Sequence, residues 1–287
     1  MKIISRLIDP AIRVRKIRIG QISALVLSPR QKPQNAPGVL WIHGGGYFLG
    51  MKEMVWMSRA VDLVKKFGAV VVAPGYRLAF RAPYPAALID CYGAMRYMKI
   101  RADALGINEH QLMVGGESAG GGLTAAVCLY ARDRGDIHVA YQMPLYPMLD
   151  CCDTETSRDN HQPVWNTRKN HHAWNLYLRG FGWKSGVTEE NMPMQIPYYA
   201  SPAREKDLAG MPPAYTFVGE DDPFLQETRD YVKRLNDAGI EAAVDVYPGC
   251  HHAFDLFHPM AETSRNAFEK FHQHFEYALE HYFAPNP

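Results

Sequence analysis

Charge imbalance is what this chain lacks most plainly. Its 31 Lys and Arg face 30 Asp and Glu, a formal net charge of +1 over 287 residues. A nucleic-acid footprint or an acidic tail needs a pronounced excess of one sign, so neither is expected. Long apolar runs are also missing. None approaches the ~18 consecutive apolar residues of a membrane helix. The N-terminal segment meets charge at Arg6 and Asp9 before a leader-like core develops. These absences imply no membrane association and a cytoplasmic protein. Cysteines are few and odd in number: Cys91, Cys128, Cys151, Cys152 and Cys250. There is no C-x-x-C and no N-x-S/T, so reduced thiols in a reducing compartment are expected rather than a disulfide framework. H-E-x-x-H is absent, and His272 and His274 stand two apart on a predicted helix, where they face different ways. No four-ligand set is in view, and no catalytic metal is expected.

What is present is an ordinary globular composition, 47% hydrophobic and 21% charged, on a length suited to one large α/β domain. Short apolar runs read as strands at 14–19, 22–27, 39–42, 69–73, 111–114, 139–145, 215–218 and 243–247. Helical patterns fill 54–67, 85–104, 123–129, 225–238 and 262–282. Strands alternating with helices predict an α/β fold with a mostly parallel, doubly wound sheet, one domain over 1–287. Residues 150–197 break the alternation. They hold no strand-like run and are rich in Asn, His, Trp and Tyr. They are read as a helical insertion, a lid or pocket wall over the strand ends, where such sheets place their sites. Trp165, Trp174, Tyr177, Phe181 and Trp183 either line a pocket there or form the insertion's own core.

Gly116-Glu117-Ser118-Ala119-Gly120 has the form G-x-S-x-G and lies between a strand and a helix, the setting in which a serine becomes a nucleophile. A hydroxyl needs a base to take its proton and an acid to orient that base. Asp222 follows one strand and His252 the next, so all three stand past the same ends of the sheet, in the order Ser, acid, His. Asp221 and His251 are adjacent competitors for the two roles. His43-Gly44-Gly45-Gly46 follows an earlier strand. Glycines let backbone N–H groups approach a developing oxyanion without side chains in the way. No G-K-[ST] and no G-x-G-x-x-G accompany this loop, which argues against a nucleotide site and leaves no cofactor expected. Cys250 beside the base and the Cys151–Cys152 pair are read as packed structural thiols.

His43–Gly46 together with the Ser118 turn resembles the hormone-sensitive-lipase-like esterases, the family that includes bacterial acetyl esterases. Gly75-Tyr76-Arg77-Leu78-Ala79, Tyr84-Pro85-Ala86-Ala87-Leu88-Ile89-Asp90, Leu145-Tyr146-Pro147, Ser201-Pro202, Pro212-Pro213-Ala214 and Asp222-Pro223 follow that family's motifs in order, over residues 39–254. The resemblance implies an α/β-hydrolase fold with Ser118 as nucleophile, Asp222 as acid and His252 as base. It makes Gly45, Gly46 and Ala119 oxyanion donors in an oxyanion hole that Gly44 shapes. It also implies a serine carboxylesterase of small, short-acyl esters. A deacetylase of acetylated sugars, an amidase or a lactonase would use the same three residues. A ligand-binding protein on this fold would ordinarily have lost one of them. Self-association into a homo-oligomer through an edge strand or the last helix is left open. Several positions depart from the family. Gln226 replaces a second acid, with Glu227 beside it. His252-Ala253-Phe254 stands where H-G-F is usual, and Phe80-Arg81 where P-E is common. The family's helical cap precedes its first strands. About a dozen residues precede Val14 here, so the acyl pocket is expected either to be more open or to be capped mainly by 150–197.

Overall fold

The central strands are apolar along their whole length because both faces of the sheet are covered, and successive side chains alternate between the two cores. Ala24, Val26, Leu40, Ile42, Val70, Val72, Leu112 and Val114 point into one core. Leu25, Leu27, Val39, Trp41, Val71, Ala73 and Met113 point into the other. The computed structural model describes residues 9–192 and 194–287. Residues 1–8, which include the start of the segment expected to carry no leader, and Pro193 of the insertion lie outside the described residues.

The elements run β1 (Ile12–Ile19), β2 (Ile22–Pro29), β3 (Ala36–Ile42), α1 (Ala60–Phe67), β4 (Val70–Pro74), α2 (Ala86–Ile100), α3 (Ala102–Leu105), β5 (Ile107–Glu117), α4 (Ala119–Arg134), β6 (Tyr141–Leu145), α5 (Thr167–Tyr177), β7 (Ala214–Gly219), α6 (Leu225–Asp237), β8 (Ala242–Tyr247), α7 (Phe254–Phe257) and α8 (Glu262–His281). They form one sheet of order β1-β2-β4-β3-β5-β6-β7-β8. β1 with β2 and β2 with β4 are antiparallel, and every later pair is parallel. This is the α/β-hydrolase architecture expected from the sequence. The carboxyl ends of β3, β5, β6, β7 and β8 share one edge, so the loops after them converge. Among the described residues, no helix is long and apolar enough to cross a membrane.

The structure refines two expected helices. The stretch 54–67 divides into a 3-10 turn, Lys52–Met57, and α1. Ser58 is extended between them, and its hydroxyl donates to Val55 O and accepts from Ala60 N, which ends one turn and starts the next. The helix expected over 85–104 ends at Ile100, and the short α3 follows. In 150–197 the described residues form α5, with Asn166 capping it by accepting from Lys169 N, two further 3-10 turns and no strand.

Glycines mark where backbones touch. A Cβ on Gly120 would lie 2.0 Å from Ile42 O, whereas one on Gly93, inside α2, meets nothing within 4 Å. Gly93→Ala is therefore expected to stabilise the fold by ~0.5–1 kcal/mol, since glycine in a helix interior costs about that much. Gly120→Ala is expected to destabilise it by ~3 kcal/mol or more through the forced displacement of β3. Thermal unfolding of the two variants checks this, and equal midpoints would contradict it.

Candidate active site

β5 runs straight into Ser118, whose backbone sits at φ 57, ψ −121, a region non-glycine residues rarely occupy. Three backbone hydrogen bonds hold it there. Ser118 N donates to Leu145 O, and Ser118 O accepts from Gly122 N and Met148 N, each at 3.0 Å. The turn is possible because Gly116 and Gly120 both press on Ile42 O, with no room for a Cβ at either position. Its effect is to lift the serine side chain off the sheet edge.

There it meets the residues expected from later in the chain. Ser118 Oγ lies 2.9 Å from His252 Nε2, and His252 Nδ1 lies 2.7 Å from Asp222 Oδ2. Asp222 is 1% exposed and His252 3%, so little water competes for these contacts. The other Asp222 oxygen accepts from Phe224 N at 2.9 Å, which fixes the carboxylate plane. Tyr146, Phe224 and Trp165 surround the imidazole, with ring centroids 5.1, 5.1 and 6.2 Å away. The competing neighbours stand elsewhere. Asp221 is exposed, and its N–H donates to Cys250 O. His251 is half-buried, its Nδ1 2.8 Å from His252 O.

The glycine loop after β3 packs on the serine turn. A Cβ on Gly44 would fall 2.9 Å from Glu117 O and 3.2 Å from Ser118 Cβ. Gly45 and Gly46 have φ 113 and 58, and a Cβ on Gly46 would strike the Trp165 ring. Among the described residues, the N–H groups of Gly45, Gly46 and Ala119 donate to no protein acceptor. His43 anchors the loop. Its ring stacks on Tyr76 at 4.2 Å, and Tyr76 donates to His43 O. Burial lowers the His43 pKa to about 4, so it is neutral, with Nδ1–H donated to Gly44 O at 2.8 Å.

A cavity of about 250 Å³ opens onto the serine, its walls largely apolar: Met54, Met57, Tyr146, Val164, Trp165 and Leu256 among them. Of the insertion's aromatics only Trp165 reaches it. Trp174 and Tyr177 pack on Tyr47 in the core, with Tyr177 stacked at 4.1 Å. Of the described histidines outside the site, His274 stacks on Tyr215, His272 faces Asp62, and His251 and His258 lie edge to face with ring centroids 5.3 Å apart.

Sequence reasoning missed the polar layer behind the site. Glu117 takes both its carboxylate oxygens to Trp41 Nε1, at 3.0 and 3.1 Å. Asp255, three residues past His252, is fully buried, with Arg59 Nε 3.9 Å away and the Arg59 guanidinium over the Phe268 ring. Burial raises the Asp255 carboxyl. Glu227, beside the Gln226 departure, is also buried and raised, and accepts from Leu149 N at 2.6 Å, tying α6 to the segment after β6. These acids lie in β5, α6 and α7, and nothing in the sequence marks them as buried, so only the three-dimensional neighbours reveal them.

A family model described as alpha/beta hydrolase fold matches residues 39–256. The chain is 28% identical to carboxylesterase NlhH of Mycobacterium tuberculosis, over 86% of this chain and 77% of that protein. It is 30% identical to esterase LipI of the same organism, over 88% and 76%. The crystal structure of esterase LipW from Mycobacterium marinum superposes with a TM-score of 0.85 at 28% identity, covering 97% of this chain and 86% of that one.

Burial, and after it the Asp255 carboxylate, push Glu117 from 4.5 up to about 8. Folded Glu117 therefore keeps a proton that the unfolded chain releases. Its contribution to stability is fully present below about pH 4.5 and is lost as pH rises through about 8. Glu117→Gln stays neutral and still offers Trp41 an acceptor. The wild type is expected to lose a few kcal/mol more than this variant between about pH 5 and 9, since each tenfold difference in proton affinity between the folded and unfolded chain is worth ~1.4 kcal/mol. Denaturant unfolding across that range checks it, and parallel profiles would contradict it.

Proposed function

The chain belongs to the hormone-sensitive-lipase-like branch of the α/β-hydrolase family, and from that we propose that it is a serine carboxylesterase acting on small esters with short acyl chains. The observation that carries this reading is the continuous contact from Asp222 through His252 to Ser118 at 2.7 and 2.9 Å, at the mouth of an apolar cavity. His252 Nε2 takes the proton as Ser118 Oγ attacks the ester carbonyl. Asp222 keeps Nδ1 protonated and steadies the imidazolium. The tetrahedral oxyanion accepts from the free N–H groups of Gly45, Gly46 and Ala119, in the loop that Gly44 shapes, a contribution of ~3–4 kcal/mol per donor. Collapse breaks the ester C–O bond, and His252 protonates the leaving alcohol. Water then enters by the same route and releases the acid. No step calls for a cofactor.

The cavity supports the short-acyl reading: about 250 Å³ is at or below the ~300–1,000 Å³ of sites for drug-sized ligands. Residues 150–197 belong to the same domain as the sheet and serve as its lid, since Val164 and Trp165 form part of the wall. The five cysteines are all free and buried, which fits the reducing cytoplasm.

Ser118→Ala and His252→Ala are each expected to cut kcat by ~10⁴-fold or more with the fold retained, and His251→Ala by no more than a few-fold. A reversal of the two histidine results in a nitrophenyl ester assay would overturn the assignment. An organophosphate is expected to modify Ser118 stoichiometrically, and an unmodified serine at neutral pH would favour ligand binding without turnover. On nitrophenyl esters kcat/KM is expected to peak at the acetyl or butyryl chain. A maximum at decanoyl would remove the short-acyl claim while leaving the esterase reading intact.

A further inference from the structure

Away from the serine, just past β6, three sulfur atoms come together. Cys151 and Cys152 are each 2% exposed, and Cys152 Sγ lies 3.6 Å from Sδ of Met192, which arrives from the end of the insertion. One donor atom from each of Asp150, Cys151 and Cys152 lies within 4.8 Å of the others. Two sulfurs bonded to one metal at ~2.3 Å, with ordinary angles between the bonds, stand ~3.8–4.0 Å apart. The Cys152–Met192 spacing is therefore close to that within a coordination shell, with Cys151 Sγ within 4.8 Å of Cys152 Sγ. The backbone holds it firmly: Cys151 N donates to Ser201 Oγ at 3.0 Å and Cys152 N to Asp150 Oδ1 at 2.9 Å.

We propose that Cys151, Cys152 and Met192 form a binding site for a soft, thiophilic cation, Cu(I) in type, with Asp150 and Arg204 as its polar border.

The donor set selects the ion. Two thiols and a thioether suit Cu(I), whereas Mg²⁺ and Ca²⁺ require oxygen shells. Asp150 cannot supply one, because Oδ1 is committed to Cys152 N and Oδ2 to the Arg204 guanidinium. On binding, Cu⁺ forms bonds to Cys151 Sγ and Cys152 Sγ, whose two thiol protons leave to solvent. Met192 donates a lone pair and releases nothing. The site then carries one net negative charge, next to Arg204, whose Nε has no hydrogen-bond acceptor among the described residues. A cost opposes this: the hydrogen bond with Cys152, and then burial, raise the Cys151 thiol pKa. The affinity of copper–thiolate bonds offsets it. On the outer side, the bordering Asp150 and Arg204 line a cavity of about 360 Å³ together with Glu189.

The copper site is independent of the esterase chemistry, and its test uses no turnover. Reduced protein is titrated without oxygen against the coloured complex of Cu(I) with bicinchoninate. One Cu(I) per chain is expected to move to the protein. Cys151→Ser and Cys152→Ser are each expected to weaken uptake by ~100-fold and Met192→Leu by ~10-fold, in the range seen when metal-site groups are removed. Cys91→Ser and Cys128→Ser are expected to leave it unchanged. Replacing a buried cysteine risks the fold, so X-ray absorption of the wild type provides a second reading, with a first shell of three sulfurs expected. Copper that stays with the chelator, uptake unaltered in both Cys152→Ser and Met192→Leu, or a shell holding fewer than two sulfurs would each overturn the site.

Discussion

The strained backbone of Ser118 is the constraint on which the rest of the site depends. A residue at φ 57 costs free energy, and the surrounding structure has to hold it there. Here β6 and the segment after it hold it by two backbone hydrogen bonds and the first turn of α4 by a third, and β3 leaves room for it only because Gly116 and Gly120 lack side chains. The glycine loop rests on the same turn through Gly44. His43 braces that loop as a neutral ring stacked on Tyr76, a role that suits a histidine which does not titrate near neutrality. Ser118, the glycine loop and the cavity wall they form are thus one mechanical unit.

The alternation of apolar strands and helical patterns is legible in the sequence because both faces of the sheet are buried. Runs such as Val70–Val72 and Val39–Ile42 read as strands because they are short, and the first is wholly β-branched. The serine turn, the glycine loop, Asp222 and His252 are legible for a related reason. Each follows a strand directly, so their chain order already places them on one edge. Choosing Asp222 over Asp221 and His252 over His251 rests on the Asp-Pro and His-Ala-Phe patterns; in the fold Asp222, His252 and Ser118 stand in line at 2.7 and 2.9 Å.

The rest depends on neighbours remote in sequence. Glu117 looks like a filler position in G-x-S-x-G, yet it is a buried, largely protonated acid held by Trp41, 76 residues earlier. Asp255 and Arg59 likewise meet across most of the chain. Trp165 could not be separated from Trp174 by composition, since both are buried aromatics of one insertion. What differs is that Trp165 faces Gly46 and the imidazole, while Trp174 faces Tyr47. The Ala253 departure has a local meaning too: φ 56 there is a conformation glycine adopts more readily.

The parts of the site come from five separate strand ends, and Ser118 and His252 are 134 residues apart in the chain. Contacts of such separation form late, because the entropy of closing long loops must be overcome first. A folding intermediate holding β1 to β6 and the segment after it would carry the serine turn and the glycine loop but neither Asp222 nor His252. Catalytic competence in this chain is therefore a property of the completed sheet alone. Recovery of turnover during refolding would report the docking of β7 and β8, the strands that carry Asp222 and His252 to the site.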